Sequence, residues 1–274
     1  MGQKINQLRR RKEARKTLAG LFEKAKDVVI VHYSCESFYD RADGSSPRVT
    51  SIAVRNLASG QTRSFSIHQM AERKGIPIPD IAAQFNVLEK QMLTDFYEYA
   101  KTHLRCQWLH WNMRDINYGF AALEHRAQVL KVKSVTIPEE SRHDLSRILI
   151  SIYGKAYIGH PRIESLMNKN KISDKDFLVG GGEAKAFEDQ EYVKLHQSTL
   201  RKVDVFANIA EMAENGSLQT NATWWEVHGG TLPAAMEWLR EHWIVSGAIS
   251  IGSIGTAGYK SWPWIHSVFS ALVA

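Results

Sequence analysis

Two cysteines in 274 residues are too few for a disulfide framework or a tetrathiolate zinc site. The 11 histidines include no His-x-x-x-His pair, and no Cys-x-x-Cys pair accompanies them, so structural zinc is not expected. No period of 20–50 residues recurs, which argues against a solenoid. The triplet Gly180-Gly181-Gly182 lacks the Lys-Ser/Thr that would make it a phosphate-binding loop, and it reads as a flexible loop. The start of the chain lacks the continuous apolar run and cleavage motif of a secretory signal. Reduced cysteines and a cytoplasmic location, extending to the inner face of a membrane, are the corresponding expectations.

Charge is present but unevenly placed. The formal net charge is +6. Residues 1–26 hold nine basic side chains against two acidic ones, a net of +7, which leaves −1 for the other 248 residues. Ile5, Leu8, Leu18, Leu21, Phe22 and Ala25 recur at helical steps, so the segment reads as a basic amphipathic helix. Arg9, Arg10, Arg11, Lys12, Arg15 and Lys16 are its candidate contacts to nucleic-acid phosphates or an anionic membrane. A solvated helix docked by its apolar stripe is the alternative.

Apolar residues at 44 % and charged residues at 23 % are ordinary for a globular chain of this length. Val28 to Tyr33 is a continuous apolar run suited to a buried strand. Val49 to Leu57 alternates, and Ser59-Gly60 turns the chain into Thr62–Ile67, which predicts a three-strand meander. Ile81, Phe85, Leu88, Met92, Phe96 and Tyr99 predict a helix. Leu104–Leu109 predicts a fourth strand, Ile116 to Leu130 a helix, and Val132–Ile137 a fifth strand. Helices follow near 142–153, 161–170 and 190–213. This βββαβαβ order is a mixed α/β layout, matching a ribonuclease H-like sheet flanked by helices. Cys35 and Cys106 are expected close together on adjacent strands. Trp108, Trp111, Trp224 and Trp225 suit base stacking or, more simply, a core.

Three segments carry chemistry. Val31-His32-Tyr33-Ser34-Cys35-Glu36 closes the first strand with a carboxylate. Asn112-Met113-Arg114-Asp115 opens a helix with a second. Leu195-His196-Gln197-Ser198-Thr199-Leu200-Arg201 continues to Asp204 on a late helix. Together they resemble the DEDD 3′–5′ exonucleases over roughly residues 27–213. The resemblance implies that Glu36 and Asp115 ligate Mg²⁺ or Mn²⁺, with Asp204 as a third ligand, and that His196 orients the attacking water. Two hard cations need several carboxylates because the scissile phosphate is itself anionic. Two departures stand out. Ser34 replaces the family's first Asp, and Arg201 stands where its last acid would be, a residue that repels metal and attracts phosphate. The core is therefore expected to bind nucleic acid or nucleotide through a degenerate site, with an active metal-dependent 3′–5′ exonuclease as the alternative. Polar residues capping element ends would explain the same side chains without a site.

From Trp243 to Ala274 the only formally charged side chain is Lys260. Ala248, Gly252 and Thr256 place small residues four apart, and Trp243, Tyr259, Trp262 and Trp264 suit a membrane interface. The segment is expected to meet either lipid or another protein, as a membrane-associated or homo-oligomerising tail. A globular body with such a tail resembles the membrane-acting effectors of bacterial antiviral systems. The expected organisation is a basic helix over 1–26, a core over 27–213, a connecting segment over 214–242, and the apolar tail over 243–274.

Overall fold

The valine-rich run 28–35 forms the central strand of a five-stranded mixed sheet. It is buried along its whole length, its apolar pattern interrupted only by His32 and Ser34. The protein is described by a computed structural model covering residues 2–36, 46–114 and 118–223, with side chains from Asn6 onward. The strands are β1 (Val28–Cys35), β2 (Val49–Asn56), β3 (Thr62–Ser66), β4 (Gln107–His110) and β5 (Arg142–Asp144), in the spatial order β3-β2-β1-β4-β5. β2 pairs antiparallel with β1 and β3, whereas β4 runs parallel to β1 and β5 parallel to β4. The helices are α1 (Gly2–Glu23), α2 (Ile67–Arg73), α3 (Phe85–Thr102), α4 (Phe120–Val129), α5 (Leu145–Tyr153), α6 (Arg162–Lys169), α7 (Gly180–Glu188) and α8 (Tyr192–Glu214).

Alternation along β1 sends Val29, Val31, Tyr33 and Cys35 into the main apolar core, with Leu88, Met92 and Phe96 of α3. The intervening His32 and Ser34 face α8, where the His32 ring meets Phe206 edge-on at 5.5 Å and Ser34 reaches Thr199. The Arg126 guanidinium of α4 donates to both carboxylate oxygens of Glu89 on α3, at 2.8 and 2.5 Å, and the amide of Val49 donates to the same carboxylate at 2.7 Å. This buried fork ties two helices to a strand. Gly119, which precedes α4, lies so close to the Met113 carbonyl that an added Cβ would sit 2.6 Å from it, so only glycine fits there.

Several elements differ from the sequence reading. The fifth strand is Arg142–Asp144, not Val132–Ile137, whose Val132 and Ile137 instead fill the core from an irregular segment. A three-residue edge strand pairs on one side only, so little in its side chains announces it. Gly180-Gly181-Gly182 is the first turn of α7 rather than a loop, because Glu183 and Ala186 are buried from it. Ile67 opens a helix instead of continuing β3. Cys35 and Cys106 are not joined by a disulfide and lie at opposite ends of β1, since the parallel register places Gln107 beside Val28. Trp108 and Trp111 are core residues, while Trp224 and Trp225 fall outside the described residues.

α1 belongs to the same compact unit as the sheet, a unit that ends at Ala222; residues 223–274 form a second unit. The boundary falls within the expected connecting segment, and the tail at 243–274 lies outside the described residues. No helix among the described residues is long and apolar enough to cross a membrane. Arg11, Ala14, Leu18 and Leu21 form the buried stripe of α1, stepping by three and four residues against α5. The Nε of Arg11 donates to the Ile152 carbonyl at 2.7 Å. Arg11→Met, which keeps the aliphatic length but loses this charge-assisted bond, is expected to cost about 1.5–3 kcal/mol. The cost should appear as a lower urea midpoint and faster proteolysis within α1; an unchanged midpoint would mean that this contact does not anchor the helix.

Candidate functional site

At the carboxyl end of β1, Ser34 is fully buried beneath the first half of α8. Its hydroxyl donates to Oε1 of Glu183 on α7 at 2.7 Å and lies 2.8 Å from Thr199 Oγ1. Thr199 in turn meets the Ser51 hydroxyl of β2 at 2.5 Å and donates to the Leu195 carbonyl one turn back. Ser198 donates to Glu183 Oε1 at 3.3 Å. The second oxygen of Glu183 is 2.7 Å from the Lys202 ammonium, with side-chain exposures of 1 % and 8 %. Lys202 also lies over the Phe177 ring, 5.5 Å from its centroid. Ser34 thus lies inside a charge-compensated network built around the Glu183–Lys202 pair.

α8 explains how this network forms. Its buried face is polar from His196 to Lys202 and apolar from Val203 to Ala213. The apolar half packs on the sheet near Phe206, and that contact carries Ser198, Thr199 and Lys202 over β1 and β2. His32, inside the same layer, has its pKa pushed well below the ordinary imidazole value, first by burial and then by the nearby Lys202. Burial is costly for a charged ring, so His32 is neutral there. Tyr118 reaches its Nδ1 at 3.0 Å and donates to the Tyr33 carbonyl at 3.2 Å.

The residues expected to form the site are distributed differently. Glu36 follows β1, and its Oε2 accepts from the Arg48 amide at 3.5 Å. Tyr192, at the start of α8, has its phenol pushed up by burial, with Arg48 opposing and Glu36 adding to the shift. His196 is buried, with its ring 4.9 Å from that of His68, and its Nε2 has no hydrogen-bond partner among the described residues. Burial, and then His68, push its pKa down to about 4, so it is neutral at pH 7. Asp204 pairs with Arg55 at 3.2 Å. Arg55 lies beside Ile30, six residues back along β1 from Glu36, which at strand rise corresponds to about 20 Å. Asp204 and Glu36 are therefore not brought together. Arg201, the expected phosphate-facing cation, donates to the Ser173 carbonyl at 2.5 Å. Thr199, not Arg201, is the α8 residue that meets Ser34. Asp115 lies outside the described residues.

The described residues contain no cluster of three or more His, Cys, Asp or Glu side chains suited to holding a divalent cation. The carboxylate nearest Ser34 is already neutralised by an ammonium group at contact distance. Sequence reading missed Glu183 because a triple glycine preceded it, and missed Lys202 because lysines are rarely buried unless paired.

On α1, Arg9, Arg10, Lys12, Arg15 and Lys16 are exposed, while Arg11 is turned into the core. Arg9 also lies 3.8 Å from Glu13, a fully solvated pair that does little to neutralise the face. Comparison with known proteins finds no matching family model, no similar curated protein and no similar solved structure.

Proposed function

We propose that this chain is a ribonuclease H-like protein that binds nucleic acid without hydrolysing it by a two-metal route. The antiparallel meander followed by two parallel strands supports the fold reading. One observation carries the functional reading. Where a DEDD-type centre would hold an acid, Ser34 is bonded to Glu183, and Glu183 is paired with a buried Lys202. An ammonium group and a divalent cation compete for the same carboxylate, and the ammonium supplies no Lewis acidity. Binding falls to the outward cations of α1, held in place by the Arg11 stripe. In the same proposal, residues 243–274 attach the chain to a membrane or to further copies of itself; deleting them should abolish membrane recovery or oligomerisation.

The test uses the full chain and a fluorescent 20-nucleotide single-stranded DNA. Binding should weaken with salt, with a log–log slope of about −3 if four to five cations of α1 meet phosphates. Replacing Lys12, Arg15 and Lys16 together by Gln should reduce that slope by about 2. With Mn²⁺ present the DNA should stay intact. Stepwise shortening from its 3′ end that disappears in Glu36→Ala plus Asp115→Ala would overturn the proposal in favour of an active exonuclease.

A further inference from the structure

On the side of β1 away from β2, a cavity of about 580 Å³ opens where β4 and β5 end, bounded by α5 and by Ala14 and Thr17 of α1. Pockets at the carboxyl ends of parallel strands are favoured ligand positions, and this volume suits a small molecule the size of a mononucleotide. Three arginines line it, Arg114, Arg142 and Arg147, against two carboxylates, Asp144 and Glu139.

These groups are not equivalent. Asp144 is buried and fully engaged. Its Oδ1 accepts from the amides of Asn112 and Ser146 at 3.2 and 3.0 Å, and its Oδ2 accepts from Arg114 Nε. It therefore acts as an orienter that fixes the Arg114 fork, whose Nη2 also donates to Asn112 Oδ1 at 3.4 Å, while 41 % of that side chain stays exposed. Arg142 is committed elsewhere, donating to the Ile137 carbonyl and lying over the Phe120 ring at 4.8 Å. Arg147 projects from the exposed side of the first turn of α5. The acid Glu139 lies on an exposed turn at the rim. One oriented and one outward guanidinium thus face the same space, which Ser151 and Thr17 also line, the Thr17 hydroxyl donating to the Glu13 carbonyl at 3.0 Å. Paired guanidinium forks match the dianionic oxygens of a phosphate monoester better than the single charge of a backbone diester.

We infer that this cavity binds a phosphate monoester, as the terminal phosphate of a nucleic-acid strand or as a free mononucleotide, through Arg114 and Arg147. This deepens the nucleic-acid reading, because the cavity adjoins α1 and so would receive the end of a strand gathered by its cations.

The probes are AMP and two 12-nucleotide single-stranded DNAs, one with a 5′-phosphate and one with a 5′-hydroxyl, each titrated into the full chain. A 5′-phosphate should bind about tenfold more tightly than a 5′-hydroxyl, the effect of one or two charge-assisted contacts. AMP should bind and compete. Arg147→Ala, at an exposed position, should erase the preference while leaving the salt-dependent binding of the hydroxyl strand intact. AMP binding without a strand preference would assign the cavity to free nucleotides. AMP binding when neither strand binds would keep the cavity assignment and sink the nucleic-acid reading of α1. Equal affinity for the two strands together with no binding of AMP would overturn the inference.

Discussion

Replacing Lys202 by Met is expected to destabilise the protein by about 3–5 kcal/mol, the cost of leaving a buried carboxylate without its counter-charge. Methionine fills a similar volume and keeps the contact with Phe177, so little of this loss would come from a cavity. What remains is Glu183 at 1 % exposure, with only the hydroxyls of Ser34 and Ser198 to satisfy it. Removing both charges, as Lys202→Met with Glu183→Leu, should recover most of the loss, because an apolar replacement of a whole buried pair is often neutral. Urea unfolding of the wild type, the two single variants and the double variant gives the coupling energy directly. A single-variant loss under about 1 kcal/mol would mean that the two groups are not paired in a dry interior, and the reason for doubting a metal at Ser34 would go with it. The same cycle separates stability from function. The proposed DNA binding through α1 should survive in any variant that still folds, since that helix lies outside the Ser34–Glu183–Lys202 network.

Between pH 6.5 and 4 the protein should lose stability steeply. His110 and His196 both have their pKa pushed down from the ordinary 6.5 to about 4. In each, burial is the main cause. For His110 the nearby Asp144 opposes the shift, while Arg114, His143 and Arg142 add to it; for His196 the neighbour is His68. His32 is lowered well below 6.5 by burial and Lys202. For a base whose folded pKa is depressed, the unfolded chain takes up the proton first as pH falls. The stabilisation is therefore complete above 6.5 and is lost as pH drops toward the folded value. Each histidine contributes up to about 1.4 kcal/mol per pH unit within that window. Glu89 acts in the opposite sense. Burial raises its pKa despite the Arg126 fork, so its contribution is complete below 4.5 and is lost as pH rises through the folded value. Three histidines outweigh one carboxylate, and the net slope is positive. Urea midpoints at pH 7, 6, 5 and 4.5 check this, and His196→Leu should flatten the profile by about one proton. A flat profile in the wild type would show that these rings are not buried and neutral in solution.

Much of the architecture could be read from local pattern. The apolar run of β1, the alternation of β2 and the Ser59-Gly60 turn report directly on burial and chain reversal, and three of the predicted strands stand where these signals put them. α3, α5, α6 and α8 announce themselves through helical spacing. β5 did not, because its three residues are defined by backbone pairing to β4 rather than by their side chains. α7 did not, because glycine has the lowest helix propensity after proline and only the burial of Glu183 and Ala186 makes that turn worthwhile.

Little of the site around Ser34 was legible in the sequence. Ser34 puts a hydroxyl near the end of a buried strand, and nothing local says which charged groups lie beside it. These are Glu183 and Lys202, 149 and 168 positions further along the chain. Asp204 shows the reverse case: one helical turn beyond Arg201 in sequence, it is carried by the axis of α8 toward Arg55 and away from Glu36.

The uneven charge, the helical first segment and the buried strand over 28–35 were determined by sequence alone, because each depends on neighbours within a few residues. Only the tertiary structure decided that Arg11 faces inward, that Lys202 neutralises Glu183 beneath α8, and that α1 closes a cavity against β4 and β5. Those facts depend on which distant groups share a space too dry to leave a charge or a donor unmatched, and chain order does not encode that distance.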